Sequence, residues 1–420
     1  MQYNRLIVAV VLLNIAYAVG AVVVGGWWRG PDVDLVAIAA VAQLNFVLAA
    51  LPRQAYLVNL VGWIATRPST TWPLRVRWAL GKYYHVGGVH VGAAVSGTAW
   101  YLVFVVSATV DVARGAPSIT PVNVVIAMTT VVIFMTMVVM ALPRFRARDH
   151  DRFELTHRFG AWLALGLVWI NTVLLTRARH PGQPLGLALL GTPTIWLLAL
   201  TTVLAVWPWA LLRRVPVTVH RPSSHAAIVG LDHGMIPPVG TTRAISRRPL
   251  VGWHHFANVP AARGTDGYRM LVSRAGDWTT TFIDDPPAHV WVRGLPAVGV
   301  ANVKRLFSKV VYVVTGSGIG PALGHLLADD RPCKLVWISR NPERTYGTTL
   351  YDEVRSAQPD ALIWDTDSLG KPDVLQLAHD AYVETGAEAV ICISNRPVTW
   401  QVVHGLEQRG IPAFGPIWDS

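Results

Sequence analysis

Six apolar runs, each close to the roughly 20 residues a helix needs to cross a bilayer, fill the first half of this chain. They lie at about residues 5–25, 33–51, 82–109, 121–142, 155–176 and 186–212. Nothing else in the sequence narrows the fold as far. In hydrocarbon every backbone N–H and C=O needs an internal partner, so such a run is expected to be helical. The run at 5–25 has no small-residue cleavage site after a short core, so it reads as a span and not as a removed signal. A content of 52% hydrophobic and 15% charged residues fits the same class.

Charge separates the two halves. Residues 1–215 carry 17 Lys and Arg against 6 Asp and Glu, whereas residues 216–420 carry 19 of each. The basic excess therefore belongs to the apolar half, and no nucleic-acid partner is needed to explain it. Arg53, Arg67, Arg75, Arg77 and Lys82 fall between runs two and three, Arg144, Arg146, Arg148 and Arg152 between four and five, and Arg213 and Arg214 after six. The opposite loops hold only Arg29, Arg114, Arg177 and Arg179. This asymmetry predicts that both termini and the whole second half are cytoplasmic; the lipid bilayer is expected to be that of the plasma membrane. Cys333 and Cys392 both lie in that half, where a disulfide framework is not expected.

Histidines at the start of runs three and five invite a comparison. "HVGGVHVG" begins at His85 and "HRFGAWLALG" at His157, each followed three residues later by glycine, Gly88 and Gly160. Imidazoles from two facing helices are suitable axial ligands for a haem iron, and the glycines would let a flat macrocycle approach the backbone. The alternative is structural, with both rings hydrogen-bonded across helices or reaching the interface. His90 is rotated about 140° from His85 on a helix and is read as structural.

From about residue 216 the pattern shifts to short alternating runs such as "VPVTVHRP" and "HVWVRGLP", which predict a small antiparallel β-barrel over 216–305. Residues 306–420 alternate strand-like and helical runs, predicting a doubly wound α/β sheet. The sharpest motif is "VVYVVTGSGIGPALGHLL". A buried strand, Val310–Val314, runs into Gly316, Ser317, Gly318, Ile319, Gly320 and Pro321 and then a helix. Such a turn lets backbone N–H groups at a helix start face a pyrophosphate. The next strand ends "WISRNPER", where Arg340 could take a 2′-phosphate through its planar fork. The site therefore leans to NADPH over NADH.

The whole layout resembles the ferric reductase and NADPH oxidase superfamily, whose cytoplasmic module is ferredoxin–NADP reductase-like. That family stacks two haems, with a second histidine 14 residues after the first on both helices. Those positions here are Ala99 and Asn171, so the resemblance leaves room for at most one haem b, between His85 and His157. "GWHHFANVP" is similar to the superfamily's flavin loop and implies FAD contacts from His254, Phe256 and Ala257, the last standing where a hydroxyl residue is usual. "SRAGDWTTTF" is similar to the segment after it, implying that Arg274 serves the flavin diphosphate beside Asp277, Trp278 and Thr279. The resemblance also implies that Trp418, in the ending "AFGPIWDS", covers the flavin, and that Cys392, in "CISNRP", lies beside the nicotinamide. Taken together, these features resemble the TmpA family of membrane flavoproteins, some of which carry an adenylate-forming domain with no counterpart in these 420 residues.

The expectation is a membrane-bound flavoprotein oxidoreductase in three parts: a six-helix domain (1–215), an FAD-binding barrel (216–305) and an NAD(P)-binding domain (306–420). Electrons would pass from NAD(P)H through FAD to an unidentified acceptor, small or lipophilic and near the inner leaflet. Two alternatives stay open: a single-haem transmembrane ferric or oxygen reductase using His85 and His157, and a non-enzymatic redox sensor.

Overall fold

The computed structural model describes residues 2–28, 34–232, 234, 236–261, 267–328 and 330–417. The described residues divide into two compact units, residues 2–54 with 85–207 and residues 55–84 with 208–417.

The helices of the first half are α1 (Gln2–Val23), α2 (Leu35–Ala50), α3 (Ala55–Ala65), α4 (Leu74–Leu80), α5 (Gly87–Ala113), α6 (Pro121–Ala141), α7 (Pro143–Arg148), α8 (His150–Arg179), α9 (Leu185–Leu190) and α10 (Pro193–Ala210). Among the described residues six helical stretches are long and apolar enough to cross a membrane: Gln2–Val23, Leu35–Arg53, Leu74–Ala113, Pro121–Ala141, His150–Arg179 and Pro193–Ala210. The sixth differs from the sequence expectation. The run at 186–212 is cut at Gly191–Thr192, and α10 restarts with Pro193 in its first turn, where a missing N–H costs nothing.

In the first unit α2, α5, α6, α8 and α10 share a core that includes Leu35, Ile38, Trp100, Phe104, Val124, Val168 and Leu198. Leu13, Val132, Leu163 and Val203 are exposed on the outside. These helices are therefore apolar on their outward as well as their inward faces. Polar side chains join neighbours across the interior: Asn45 Nδ2 donates to Asn14 Oδ1 at 2.8 Å, Trp100 Nε1 to the same oxygen at 2.9 Å, and Asn123 Nδ2 to Asn171 Oδ1 at 2.9 Å. Helix α1 lies against α5 at a small-xxx-small pair. A Cβ on Gly88 would come 2.4 Å from Tyr3 O, and one on Gly92 3.0 Å from Ile7 O.

In the second unit seven strands form one antiparallel sheet: β1 (Arg213–His220), β2 (Ala226–Leu231), β3 (Thr241–Ser246), β4 (His254–Ala257), β5 (Val259–Pro260), β6 (Tyr268–Ser273) and β7 (His289–Val298), in the order β4-β3-β7-β1-β2-β6-β5. The two ends of that order, β4 and β5, are consecutive in the chain. Residues 254–257 pair with β3 and residues 259–260 with β6, which closes the sheet into a barrel. Its interior holds Val229, Ile245, Met270, Val272, Val290 and Val292, plugged by Phe282 of α11 (Asp277–Asp284).

The remaining strands, β8 (Val310–Thr315), β9 (Cys333–Ser339), β10 (Leu362–Asp365), β11 (Ala389–Ile393) and β12 (Ala413–Phe414), form a parallel sheet in the order β10-β9-β8-β11-β12. Interleaved with them are α12 (Ile319–Ala328), α13 (Pro342–Tyr346), α14 (Thr348–Ala357), α15 (Thr366–Leu369), α16 (Val374–Thr385) and α17 (Arg396–Gln408). Tyr312, Val314, Ile391 and Trp337 pack with Leu323 and Val354 on one face. Val311, Val313, Val390 and Cys392 pack with Ala378, Val402 and Leu406 on the other. A sheet covered on both sides explains why Val310–Val314 is an unbroken apolar run.

Residues 55–84 depart from the expected boundaries. The sequence places them inside a membrane domain ending at 215, yet they belong to the second unit. Asn59 holds β7 by donating from Nδ2 to Pro296 O and accepting from Val298 N, each at 2.9 Å. Arg77, only 4% exposed, grips Glu388 with both terminal nitrogens (2.8 and 2.9 Å) and donates to Leu306 O at 2.9 Å. Lys82 pairs with Glu407 and donates to Ala413 O. These basic residues, counted as a topogenic loop, serve as a clasp around the parallel sheet.

Candidate functional site

The glycine turn lies where the sequence puts it. Strand β8 ends at Thr315, a 3₁₀ turn covers Gly316–Gly318, and α12 starts at Ile319. In the sheet order β8 has β9 on one side and β11 on the other, so the crevice beyond the ends of β8 and β11 is the topological switch point where open α/β sheets bind ligands. Gly316 takes φ +52°, and a Cβ on Gly318 would stand 2.2 Å from Ile393 O at the end of β11. Thr315 and Ser394 hydroxyls bond across the two strand ends. Gly320 abuts Leu271 of β6, which brings the barrel alongside the turn. The first turn presents N–H groups that have no intrahelical acceptor. Tyr346, whose hydroxyl lies 3.2 Å from where a Gly316 Cβ would be, also lines this corner. Nothing in the sequence pointed to it.

Arg340 follows β9 and is exposed. Its Nε donates to Asp367 Oδ1 at 2.9 Å, which occupies one edge of the guanidinium fork. It lies one strand over from the glycine turn.

On the barrel, His254, Phe256 and Trp278 come together. The rings of His254 and Trp278 are 4.3 Å apart, Phe256 stacks on Trp278 at 6.0 Å, and Trp278 on Phe282 at 5.0 Å. Phe256, Ala257 and Trp278 remain half-buried. Beside them Asn258 is buried at 4%, donates from Nδ2 to Thr241 Oγ1 at 2.9 Å, and has an Oδ1 with no hydrogen-bond partner. An orphaned acceptor next to a half-exposed aromatic platform is what a bound heteroaromatic ring with an N–H could complete.

The remaining residues of the expected flavin segment have partners within the chain. Arg274 forks onto Asp284 at the other end of α11 and donates from Nε to Ser224 O at 3.0 Å. That fork raises the guanidinium's pKa and lowers that of the carboxyl. Thr279 Oγ1 caps α11, accepting from Ala275 N (2.9 Å) and Gly276 N (3.1 Å). Asp277 is exposed in the first turn. To serve a diphosphate, Arg274 would have to exchange its carboxylate for it.

Two expectations change and one lies out of view. Cys392 points away from the turn, into the core under α16 and α17, with no exposure. Burial pushes its thiol up to about 12, so it is placed as a packing residue and not as a reactive thiol. Iodoacetamide at pH 8 should therefore modify at most Cys333 in the folded chain and both cysteines in denaturant, counted by intact mass. A doubly labelled native chain would contradict this burial. Trp418 lies outside the described residues.

In the helical unit, His157 meets His90, not His85. Their ring centroids are 6.1 Å apart and edge-on, a separation at which rings touch directly. His90 Nδ1 is 2.8 Å from Ala49 O, and Phe153 flanks His157 at 5.3 Å. His85 sits in a single 3₁₀ turn, Tyr83–Val86, ahead of α5. The glycines expected to admit a macrocycle are otherwise engaged, Gly88 against α1 and Gly160 against Met137. Among the described residues no group of three or more His, Cys, Asp or Glu could hold a metal ion.

Residues 300–420 match the family described as the C-terminal domain of adenylate-forming reductase 03009. The whole chain is 40% identical to adenylate-forming reductase 03009 and 38% identical to adenylate-forming reductase 06235, both of Coprinopsis cinerea. All of this chain is covered, but only 40% of each relative, so the chain spans about two fifths of their length. Among solved structures it is similar to a ferredoxin NADP+ reductase from Neisseria gonorrhoeae with bound FAD and NADP (14% identity, TM-score 0.40, 49% of this chain and 98% of that one). It is also similar to a flavohemoglobin from Malassezia yamatoensis with bound FAD and heme (13% identity, TM-score 0.43, 90% and 98%).

Proposed function

We propose that this chain is a membrane-anchored oxidoreductase that takes electrons from NAD(P)H through FAD to a small or lipophilic acceptor near the inner leaflet. The observation that carries the reading is the glycine turn at the β8/β11 switch point, lying directly against strand β6 of a closed barrel. The similarity of these 420 residues to two fifths of two proteins named reductases supports it. The six long apolar helices support the anchor. The arginines at 144, 146, 148 and 152 support a cytoplasmic location for the second unit, and the plasma membrane is our proposal for the bilayer.

Gly316–Pro321 would hold the pyrophosphate of the pyridine nucleotide at the start of α12, and Arg340 its 2′-phosphate. Phe256, Trp278 and Asn258 fit a flavin ring, the first two by stacking and the third by its unpartnered oxygen. Bound FAD would supply hydride acceptance and single-electron donation, chemistry that no side chain here offers. The chain's own contribution is to orient the two ring systems and exclude water between them.

An absorbance spectrum of detergent-purified protein, before and after NADPH, tests this. Flavin bands that bleach on addition and recover with turnover are the expected result. A sample with neither flavin bands nor uptake of added FAD would end the proposal. A Soret band lost in His157→Ala would redirect it to a haem reductase, and bleaching without turnover to a sensor. Arg340→Ala should raise KM for NADPH about tenfold, the low end for a charge-assisted hydrogen bond at an exposed site, with KM for NADH within twofold. Equal effects on both nucleotides would remove Arg340 from the specificity argument.

A further inference from the structure

The six-helix unit contains a cavity of about 290 Å³ between α2, α5, α8 and the α9–α10 connection. Gln43, Tyr101, Phe104, Asn171, Thr172 and Thr176 line its interior, the exposed Asp34 and His180 mark its outer end, and the half-buried Arg179, next to His180 in the chain, also lines it. No residue of the second unit takes part, so the site is independent of the nicotinamide and flavin reading.

Its polar groups are mostly acceptors, with one unmatched hydroxyl, Tyr101 Oη, that can both donate and accept. Gln43 is 3% exposed, and its Oε1 has no hydrogen-bond partner. Native structures rarely leave such an atom unmatched. The hydroxyl protons of Thr172 and Thr176 are already donated to Val168 O and Thr172 O, each at 2.8 Å, so those oxygens face the space as acceptors. Asn171 Oδ1 is taken by Asn123. Phe104, Val168 and Leu175 supply apolar wall. The interior thus suits a ligand with an apolar body and one hydroxyl, able to donate to Gln43 Oε1 and to accept from Tyr101 Oη. A cavity of about 150 Å³ holds benzene, so the space here admits one substituted ring.

We propose that this cavity binds a neutral single-ring phenol, its hydroxyl donated to Gln43 Oε1 and its ring held against Tyr101 and Phe104. The test uses the full chain in detergent and ligand-observed NMR with 4-methylphenol. Toluene serves as the probe lacking a hydroxyl. Each signal is read as wild type minus Ala39→Phe, a variant that fills the cavity, so that partition into micelles cancels. Saturable 4-methylphenol binding, with toluene at least tenfold weaker, is expected. Gln43→Leu should weaken 4-methylphenol about tenfold and turn the preference towards toluene. Thr176→Val, which removes one acceptor without changing shape, should weaken it about threefold and makes the same cut if Gln43→Leu does not fold. No difference between wild type and Ala39→Phe, equal binding of both probes, or indifference to the acceptor variants would each overturn the assignment, leaving a cavity filled by water.

Discussion

Arg77→Ala should lower the stability of the second unit by about 2–3 kcal/mol, the cost of removing the hydrogen bonds of a buried guanidinium while the half-exposed Glu388 is left to water. The substitution removes both bonds to Glu388, those to Leu306 O and Trp72 O, and the guanidinium lying 5.6 Å over Phe307. Denaturant titration of detergent-solubilised protein reads it as an earlier midpoint. An unchanged midpoint would show that the clasp is ornamental. The pair also sets an acid limit. The Arg77 hydrogen bonds hold the Glu388 carboxyl down to about 2 from its ordinary 4.5. A folded-state value below the unfolded one stabilises above the unfolded value and is lost as pH falls from about 4.5 towards 2. With the Glu388 side chain 28% exposed, solvent screening reduces that contribution to about 2 kcal/mol. In Arg77→Ala the larger share of this acid limb should vanish, leaving the part that the hydrogen bond from Ser308 N supports.

Gly318→Ala should damage nucleotide binding more than any other single methyl group. Its Cβ would press on Ile393 O at 2.2 Å and on the carbonyl carbon at 3.2 Å. These are backbone atoms of a central strand and have nowhere to go. The turn must lift instead, at a cost of about 1–3 kcal/mol for overpacking, and the N–H groups at the start of α12 move with it. A rise of at least tenfold in KM for NADPH is expected, together with a lower melting temperature. If both stay at wild-type values, the switch point is not where the nucleotide binds.

How far the sequence spoke for itself depended on the range of the interactions involved. The strand, turn and helix around Gly316 are local. An apolar run meets glycines and then a helical pattern, and the structure follows within one or two residues. The long apolar helices were legible for the same reason. The histidine pairing was not, because rotation along one helix says nothing of which face meets α8, and the structure turned His90 towards His157. Gly88 was read as room for a macrocycle, although the same glycine serves equally to let α1 approach. Arg274 and Thr279 sat in a familiar string, yet their partners are Asp284 and the backbone of their own loop. Arg77 and Lys82 were counted as loop charges because Glu388 and Glu407 lie more than 300 residues away in sequence.

The excursion of residues 55–84 has a practical consequence for dissecting the protein. A gene fragment starting near residue 208 looks like a tidy reductase module, but it would surrender the side chains that neutralise Glu388 and Glu407 and the hydrogen bonds that finish the edge of β7. A usable excised version would have to graft that thirty-residue piece back on, by fusion or as a separate peptide added in trans.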